Sequence, residues 1–291
     1  MEYRTRDGQN ITGNDKQDRF LARLYGTHTG RACVKVLIAP EVSELGGRLL
    51  SSHMSRVFIR PFIRRNGIDM SQYERKKYRS YNDFFTRQVK PEMRPVDETP
   101  SHLVSPCDGK LSAYTVCEEG KIRIKGTDYT VASLLRDRNL AARYIGGTAL
   151  VFRLTIDDYH RFLYIDEGEV GDTRTIEGVY HTINPAAGKR YPIYKENHRD
   201  CTVLETEHFG PVTMIEVGAL MVGRIVNHPS SAPVARGMEK GYFEFGGSTI
   251  VLLFEKSRIV VDNDILLNSR SGIETIVKAG EKIGMMAPSL Y

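Results

Sequence analysis

A Gly-Gly-Ser-Thr sequence at residues 246–249 stands directly before the apolar run IVLLF. Two glycines permit a strained backbone bend, and a strand that follows them would hold the bend rigidly. Ser248 is therefore a candidate nucleophile at the start of a buried strand. A plain β-turn is the simpler interpretation of so short a sequence, so the assignment depends on whether the chain also supplies groups that activate a serine.

Two further segments contain such groups. SPCDGK, residues 105–110, puts Asp108 in a tight turn beside Gly109, and RLTIDDYHRF, residues 153–162, puts His160 at the end of a predicted strand. An acid, a histidine and a hydroxyl are the components of an activated serine nucleophile. As residue types alone they are weak indicators, because a chain of 291 residues contains many of each.

The elements that must position these residues differ between the two parts of the chain. Residues 96–291 contain short β-like runs separated by turn residues, such as TALVFRL and STIVLLFEK, which predicts a β-rich catalytic domain of lipoyl-like or barrel type. The terminal TIVKAGEKIGMM is typical of a closing hairpin of a small barrel. Residues 1–95 are predicted to form a mostly helical, basic region, so the predicted fold class is α+β.

The basic region has an uneven charge. Residues 48–94 contain twelve Lys or Arg against four acids, whereas the net charge of the whole chain is only +5. Within it, LGGRLLSSHMSRVFIRPFIRR (45–65) repeats apolar residues at three-to-four spacing, which predicts an amphipathic helix that ends or kinks at Pro61. Such asymmetry favours an anionic partner. A solvated basic face is the alternative, and no aromatic platform supports nucleic-acid binding.

Composition excludes several classes of protein. No apolar run approaches the roughly 18 residues that a membrane span needs, and the polar first residues predict no signal peptide. The four cysteines have no metal-binding spacing. They predict reduced thiols in a cytoplasmic protein, with neither a disulfide framework nor a metal site.

Taken in order and context, these segments resemble the phosphatidylserine decarboxylase family, over most of the chain from Tyr81 onward. The Phe-Gly-Gly-Ser-Thr sequence and the long basic region resemble most closely the shorter bacterial type II branch. The segments that carry the resemblance are YNDFFTRQVKPEMRPVD (81–97), VSPCDGKL (104–111), IKGTDYTVASLL (124–135), DYHRF (158–162), INPAA (183–187), VGALMVGRI (217–225) and FGGSTIVLLFE (245–255).

The resemblance implies a self-processing enzyme. Ser248 would attack the carbonyl of Gly247, the chain would be cut between the two residues, and Ser248 would become a covalent pyruvoyl cofactor. The keto group would form a Schiff base with the substrate amine and accept electrons as CO2 leaves. The implied catalytic residues are Asp108, His160 and Ser248. The two chains produced by the cut, α and β, would stay together, with a homodimer of such pairs as the expected assembly.

One position departs from the family pattern. The family's histidine motif has a second histidine three residues after the first, credited as the base that activates the serine, and here that position is Leu163. Leucine cannot accept a proton. Three hypotheses follow: His160 serves both roles, another histidine such as His181 or His228 supplies the base, or the chain has lost efficient processing.

The implied activity is the conversion of phosphatidylserine to phosphatidylethanolamine at the cytoplasmic side of the cell membrane, where the basic region would bind anionic phospholipid peripherally. An alternative keeps the pyruvoyl chemistry with a soluble amino acid or related amine, because Leu163 indicates a remodelled site. A further alternative is a non-catalytic, lipoyl-like binding module. It is disfavoured because the chain has no Met-Lys-Met-type hairpin.

Overall fold

The computed structural model describes residues 2–12, 23–37, 39–124, 127–181, 196–219, 224–229, 233–245 and 248–288. Gly247 of the predicted cleavage site lies outside these residues, as do INPAA (183–187) and residues 220–223 of VGALMVGRI. The predicted α+β class is confirmed, because helices are concentrated between residues 28 and 85 and strands after residue 102.

The helical part is broken into short segments. Helices α1 to α4 span His28–Leu37, Pro40–Ser51, Ile59–Asn66 and Tyr81–Phe85, with 3₁₀ turns at His53–Phe58, Met70–Gln72 and Pro91–Met93. Later helices α5 to α7 span Val131–Leu135, Arg138–Ala142 and Asn263–Arg270. No helix in this described part of the chain is long and apolar enough to cross a membrane.

The predicted single helix over residues 45–65 is interrupted at Ser52, whose backbone is extended. The prediction that Pro61 ends or kinks the helix was wrong. Pro61 instead lies in the first turn of α3, where backbone N–H groups have no intrahelical acceptor and proline therefore costs little.

The strands of the described residues are short, and most lie after residue 102. They are β1 (Glu2–Arg4), β2 (Asn10–Thr12), β3 (His102–Val104), β4 (Gly109–Thr115), β5 (Lys121–Ile124), β6 (Thr127–Thr130), β7 (Thr148–Leu154), β8 (Arg161–Leu163), β9 (Gly168–Val170), β10 (Arg174–Ile176), β11 (Arg199–Thr206), β12 (Gly210–Val217), β13 (Ile225–Asn227), β14 (Glu239–Phe243), β15 (Ser248–Phe254), β16 (Ile259–Val261), β17 (Glu274–Val277) and β18 (Lys282–Met286).

Ten of these strands form one sheet in the order β10-β11-β12-β15-β7-β4-β17-β1-β2, with β9 also paired to β11. The predicted helical region thus begins with two strands of this sheet, because β1 pairs in parallel with β17. The predicted closing hairpin was wrong, since β17 pairs with β4 and β18 with β3 and β16. The sheet order of the described strands is open, and the lipoyl-like form stays a prediction.

The centre of the sheet is buried on both faces. Every residue of β15 is buried, so the apolar run IVLLF contributes alternately to two hydrophobic clusters. Ile250 and Leu252 pack with Phe152 on one face, whereas Val251 and Leu253 pack on the other. This explains why the sequence shows a continuous apolar run and not an alternating one.

A third cluster connects the helical region to the sheet. Tyr81, Phe84 and Phe85 of α4 are buried together. The Phe85 ring lies 5.2 Å from the ring of Phe245, three residues before Ser248, and the Phe62 ring of α3 lies 5.4 Å from Tyr81. The helices are therefore packed directly against the segment that leads to the candidate nucleophile.

Candidate active site

Ser248 is the first residue of β15 and pairs with Leu154, the last residue of β7. Its side chain is fully buried, and its Oγ forms no hydrogen bond with any residue that the structure describes. A buried hydroxyl without a partner is costly to keep, so most buried polar groups are paired. The state of Ser248 is that of a hydroxyl whose proton is available to a base.

Asp108 precedes β4, which lies on the other side of β7. The register pairs Lys110 with Arg153, so the start of β4 lies beside the end of β7. This end of the central strands β4, β7 and β15 is called the processing edge below. A Cβ at Gly109 would lie 3.1 Å from the carbonyl oxygen of Arg153, so this close approach favours glycine. With strands about 4.8 Å apart, the starts of β4 and β15 are separated by about 10 Å.

His160 lies in the turn between β7 and β8 at the same edge. The ring is fully buried, with Nδ1 2.9 Å from the carbonyl oxygen of Asp158. Since a carbonyl oxygen only accepts, Nδ1 carries the proton and Nε2 carries the lone pair. Nε2 has no hydrogen-bond partner among the described residues. The Phe85 ring packs 4.1 Å from the imidazole.

An ion pair fixes the turn that carries His160. Lys110 Nζ lies 2.6 Å from the carboxylate of Asp158, which also accepts hydrogen bonds from the backbone N–H and hydroxyl of Thr155. Burial opposes ionisation of Asp158, but the charge and hydrogen bonds of Lys110 outweigh it and lower the pKa to about 2. The carboxylate is therefore charged at neutral pH, and its backbone carbonyl orients the imidazole.

The same surroundings keep His160 neutral. Burial lowers the pKa of His160 to about 4, partly opposed by the charge of Asp158 and reinforced by the cation of Arg87. A neutral imidazole with a free lone pair is the form that accepts a proton. Among the described residues, Ser248 Oγ is thus an unpartnered donor and His160 Nε2 an unpartnered acceptor, and the two atoms are not hydrogen-bonded to each other. An imidazole and a hydroxyl of this kind are the residue types of an activated nucleophile.

Asp108 binds cations, and none of the described histidines is hydrogen-bonded to it. Its carboxylate accepts two hydrogen bonds from Arg94, at 2.8 and 2.6 Å, and one from the backbone N–H of Ala279, at 2.9 Å. Lys278 lies 3.4 Å away. Burial alone would lower the pKa of Arg94, but Asp108 raises it. The structure thus brings Asp108 to the edge of the site without placing it against the imidazole.

The two alternative histidines lie in different surroundings. His228 is half-exposed, and its Nε2 lies 2.7 Å from Glu239. His181 is buried, which lowers its pKa, and its backbone is bridged by Asn197 to the carbonyl of Gly218. Gly218 follows the last β12 residue paired with β15. Of the two, His181 is therefore connected more closely to the strand of Ser248.

The sequence analysis missed three residues of this edge: Lys110, Arg94 and Arg87. Each lies inside a quoted motif, namely the Lys of SPCDGK, the Arg of Arg-Pro-Val-Asp and the Arg of Phe-Phe-x-Arg. The motifs could therefore have indicated these residues. Their charge partners could not be predicted, because Arg94 and Lys278 lie far from Asp108 in sequence and pair with it only in the folded chain.

A group of possible metal ligands lies elsewhere. Asp166, Glu167 and His208 bring one ligand atom each within 4.8 Å of one another. The Asp166 carboxylate already accepts a hydrogen bond from the buried guanidinium of Arg236, at 2.8 Å. This cation neutralises the carboxylate, so the group is explained as a structural ion-pair cluster.

Comparisons with known proteins place the chain among named relatives. A family model described as phosphatidylserine decarboxylase matches residues 81–285. The chain is 48% identical over 262 residues to phosphatidylserine decarboxylase proenzyme 2 of Clostridium acetobutylicum, covering 90% of each protein. It is 40% identical to the proenzyme of Ruminiclostridium cellulolyticum, with 91% of each covered, and 38% identical to that of Fusobacterium nucleatum, with 94% of this chain and 95% of the relative covered.

Proposed function

Because the chain belongs to the phosphatidylserine decarboxylase family, we propose that it cuts itself between Gly247 and Ser248, forms a pyruvoyl group from Ser248 and uses it to convert phosphatidylserine to phosphatidylethanolamine and CO2. The observation that carries this proposal is the buried Ser248 Oγ, which has no partner among the described residues. Ser248 is the first residue of the fully buried strand β15, and His160, whose imidazole is neutral, follows the neighbouring strand β7.

In the processing step, Ser248 Oγ attacks the carbonyl carbon of Gly247 while its proton passes to Nε2 of His160. The peptide C–N bond is replaced by an ester C–O bond, and the amine takes up the proton. A base then removes the Cα proton of Ser248 and the Cβ–O bond breaks, which releases the carboxylate of Gly247 and leaves dehydroalanine. Addition of water converts this residue to pyruvoyl and releases ammonia. The products are a chain of residues 1–247 and one of 44 residues.

In the decarboxylation step, the pyruvoyl group supplies an electron sink for the electron pair left when CO2 departs. His160 would return a proton to the carbon that has lost CO2. Its hydrogen bond to the Asp158 carbonyl and its contact with Phe85 hold the ring in one orientation for both steps. These surroundings favour the hypothesis that His160 serves both as the base in processing and as the proton donor in decarboxylation. Its Nδ1 is bound to a carbonyl oxygen, whereas its Nε2 has a lone pair that can accept a proton.

Asp108 is proposed to act through charge rather than through direct contact with the imidazole. With Arg94 it forms an ion pair in which both side chains are buried. Such a pair fixes the turn between β3 and β4 and sets the local field at the processing edge. This differs from the catalytic triads of serine hydrolases, in which the acid touches the histidine.

A membrane-binding role for the helical region is supported by its surface. Around α2, the 3₁₀ turn at His53–Phe58 and α3, large apolar side chains are exposed beside arginines that are exposed as well. The apolar ones are Leu45, Leu49, Met54, Val57 and Phe58, between 58% and 84% exposed, and the arginines are Arg48, Arg56, Arg60, Arg64 and Arg65. Apolar side chains next to basic ones suit the boundary between anionic headgroups and acyl chains.

This surface favours a lipid substrate over a soluble amine. We propose peripheral binding to anionic phospholipid at the cytoplasmic face of the cell membrane, with the two processed chains remaining together and pairing as a homodimer. The helical cluster packs against Phe245, close before the cleavage site in sequence. Binding at the surface would therefore bring the site within reach of a headgroup.

Ser248→Ala should abolish both the cut and the decarboxylation, because alanine has no hydroxyl to attack Gly247. The wild type should give two fragments, the smaller one starting with a blocked residue 248 that reacts with carbonyl reagents. Intact-mass spectrometry measures both. Ser271→Ala, which changes an exposed serine, should mature normally. A full-length, uncut protein with wild-type activity would contradict the mechanism.

Asp108→Asn should slow the cut roughly tenfold or more, because it removes a buried negative charge and leaves the buried guanidinium of Arg94 without its carboxylate. Time courses of fragment formation on gels measure the rate, and exposed Asp172→Asn is the control. If Asp108 only stabilises its turn, the mutant should cleave normally and merely melt at a lower temperature. Normal cleavage would therefore rule out a role in processing.

His160→Ala should stop cleavage as well as turnover if this residue serves both steps. Since the pKa of about 4 keeps the imidazole neutral, the maturation rate of the wild type should not change between pH 6 and 8 because of this residue. It should fall only as the pH approaches 4, where the ring becomes protonated. Fragment formation across a pH series measures this.

If His160→Ala still cleaves, the base lies elsewhere, and His181→Ala and His228→Ala become the next variants to measure. Faster maturation of Leu163→His would indicate that the leucine marks a partial loss of processing. A His160→Ala protein that matures and decarboxylates at wild-type rates contradicts the whole assignment.

Charge reversal of Arg56, Arg60, Arg64 and Arg65 to Glu should release the protein from anionic vesicles, because each basic residue near such a surface contributes about 1 kcal/mol. Sedimentation with phosphatidylserine-containing vesicles across a salt series measures binding. Reversing four exposed basic residues outside the helical region, Lys121, Arg138, Lys256 and Arg270, is the control. Absence of wild-type binding at low salt would remove the main support for a lipid substrate.

A further inference from the structure

A small cleft near His160 is lined by polar and charged residues, three of them cations. It is lined by Lys76, Arg87 and Arg161, together with the neutral polar residues Tyr78, Thr86 and Gln88 and one acid, Glu74. Lys76 and Arg161 are paired with the carboxylates of Asp83 and Glu239, at 2.7 and 2.6 Å. Arg87 is the cation of the cleft for which the described residues supply no carboxylate partner. The neutral side chains add hydrogen-bond donors, and such a combination binds oxyanions.

Arg87 is the least satisfied cation of this cleft. It is only 2% exposed, yet its Nε and Nη1 have no hydrogen-bond partner among the described residues. Nη2 donates to the hydroxyl of Tyr73 and to the carbonyl of Asp157, at 3.2 and 3.3 Å. A buried guanidinium without a carboxylate on these nitrogens is costly. An anionic ligand would remove that cost.

Aromatic rings hold this guanidinium in place. Its carbon lies 4.3 Å from the centre of the Tyr73 ring and 4.9 Å from that of Phe84. Contact with two rings limits the rotamers that Arg87 can adopt. The planar fork of donors is therefore fixed before any ligand arrives, which lowers the entropy lost on binding.

The cleft adjoins the candidate catalytic histidine. Arg161 directly follows His160 and donates from Nε to the carbonyl of Thr86 at 2.9 Å. Phe85, two residues before Arg87 in sequence, packs on the imidazole ring of His160. Two of the three cations, Arg87 and Arg161, thus come from the segments that contact or directly follow His160. An anion held there would be anchored beside the reacting group.

We propose that this cleft, with Arg87 as its principal donor, binds the phosphodiester of the substrate headgroup. The inference rests on the proposed function and adds the subsite that would hold the lipid during the reaction. The phosphate is present in both phosphatidylserine and phosphatidylethanolamine, whereas the carboxylate is lost. A phosphate anchor can therefore orient the serine amine throughout turnover without being consumed.

Binding can be measured on the uncut Ser248→Ala protein, so that it does not depend on the cofactor or on activity. The probes for titration calorimetry are glycerophosphoserine, glycerophosphoethanolamine, L-serine and inorganic phosphate. Both glycerophosphodiesters should bind, and L-serine, which has the carboxylate but no phosphate, should bind far more weakly. Decarboxylation by the wild type is assayed separately, so failure of the proposed function and failure of the subsite give different results.

In the same protein, Arg87→Gln should weaken both glycerophosphodiesters roughly tenfold to a hundredfold, the usual effect of losing hydrogen bonds to a charged group. Lys76→Gln, which changes a side chain that is 57% exposed, should fold normally and weaken them roughly two- to fivefold. Arg143→Gln changes a cation paired with Glu255 outside the cleft and should have no effect. Thermal melting identifies a variant that does not fold.

Three results would overturn the proposal. The first is unchanged diester affinity in both Lys76→Gln and a folded Arg87→Gln; if Arg87→Gln does not fold, Lys76→Gln decides alone. The second is tight binding of L-serine that Arg87→Gln abolishes, which would make the cleft a carboxylate site. The third is inorganic phosphate binding as tightly as the diesters, which would make it a site for free phosphate.

Discussion

The pairing of β7 with β4 on one side and β15 on the other is the constraint on which the rest of the site depends. Its register puts Leu154 opposite Ser248 and places the start of β4 at the same edge. Asp108, His160 and Ser248 are far apart in the chain but all lie where these strands begin or end. Because Ile250 and Leu252 pack in one cluster and Val251 and Leu253 in the other, a slip of one residue would move each side chain to the opposite cluster.

Burial gives this edge its chemistry as well as its position. Ser248 and His160 are both fully buried and each retains one polar atom without a partner among the described residues. Burial away from water keeps the imidazole of His160 neutral. The charged groups beside it, Lys110 and Asp158, are paired with each other. The fold thus tolerates unpaired groups at the reacting atoms and surrounds them with paired ones, which is the usual arrangement of a preorganised site.

The helical region contacts the same site. Phe85 of helix α4 packs on the imidazole ring of His160. Arg87, two residues later in the chain, lines the cleft. The preceding helices pack on the same aromatic cluster and expose their apolar and basic side chains on the opposite side. The segment from Leu45 to Arg87 would therefore connect the proposed membrane-binding surface, the headgroup subsite and the candidate catalytic histidine.

The sequence by itself determined the α+β class, the buried strand after Ser248 and the family resemblance, because hydrophobic runs and motif spacing are local properties. It could not determine which strands pair, so the predicted hairpin of residues 275–286 was wrong and the N-terminal strands were missed. Charge partners were also hidden: Asp108 binds Arg94 and Lys278, and no local pattern couples residues so far apart. Only the tertiary structure decided that His160 is neutral, because its pKa depends on burial and on groups brought there by other strands.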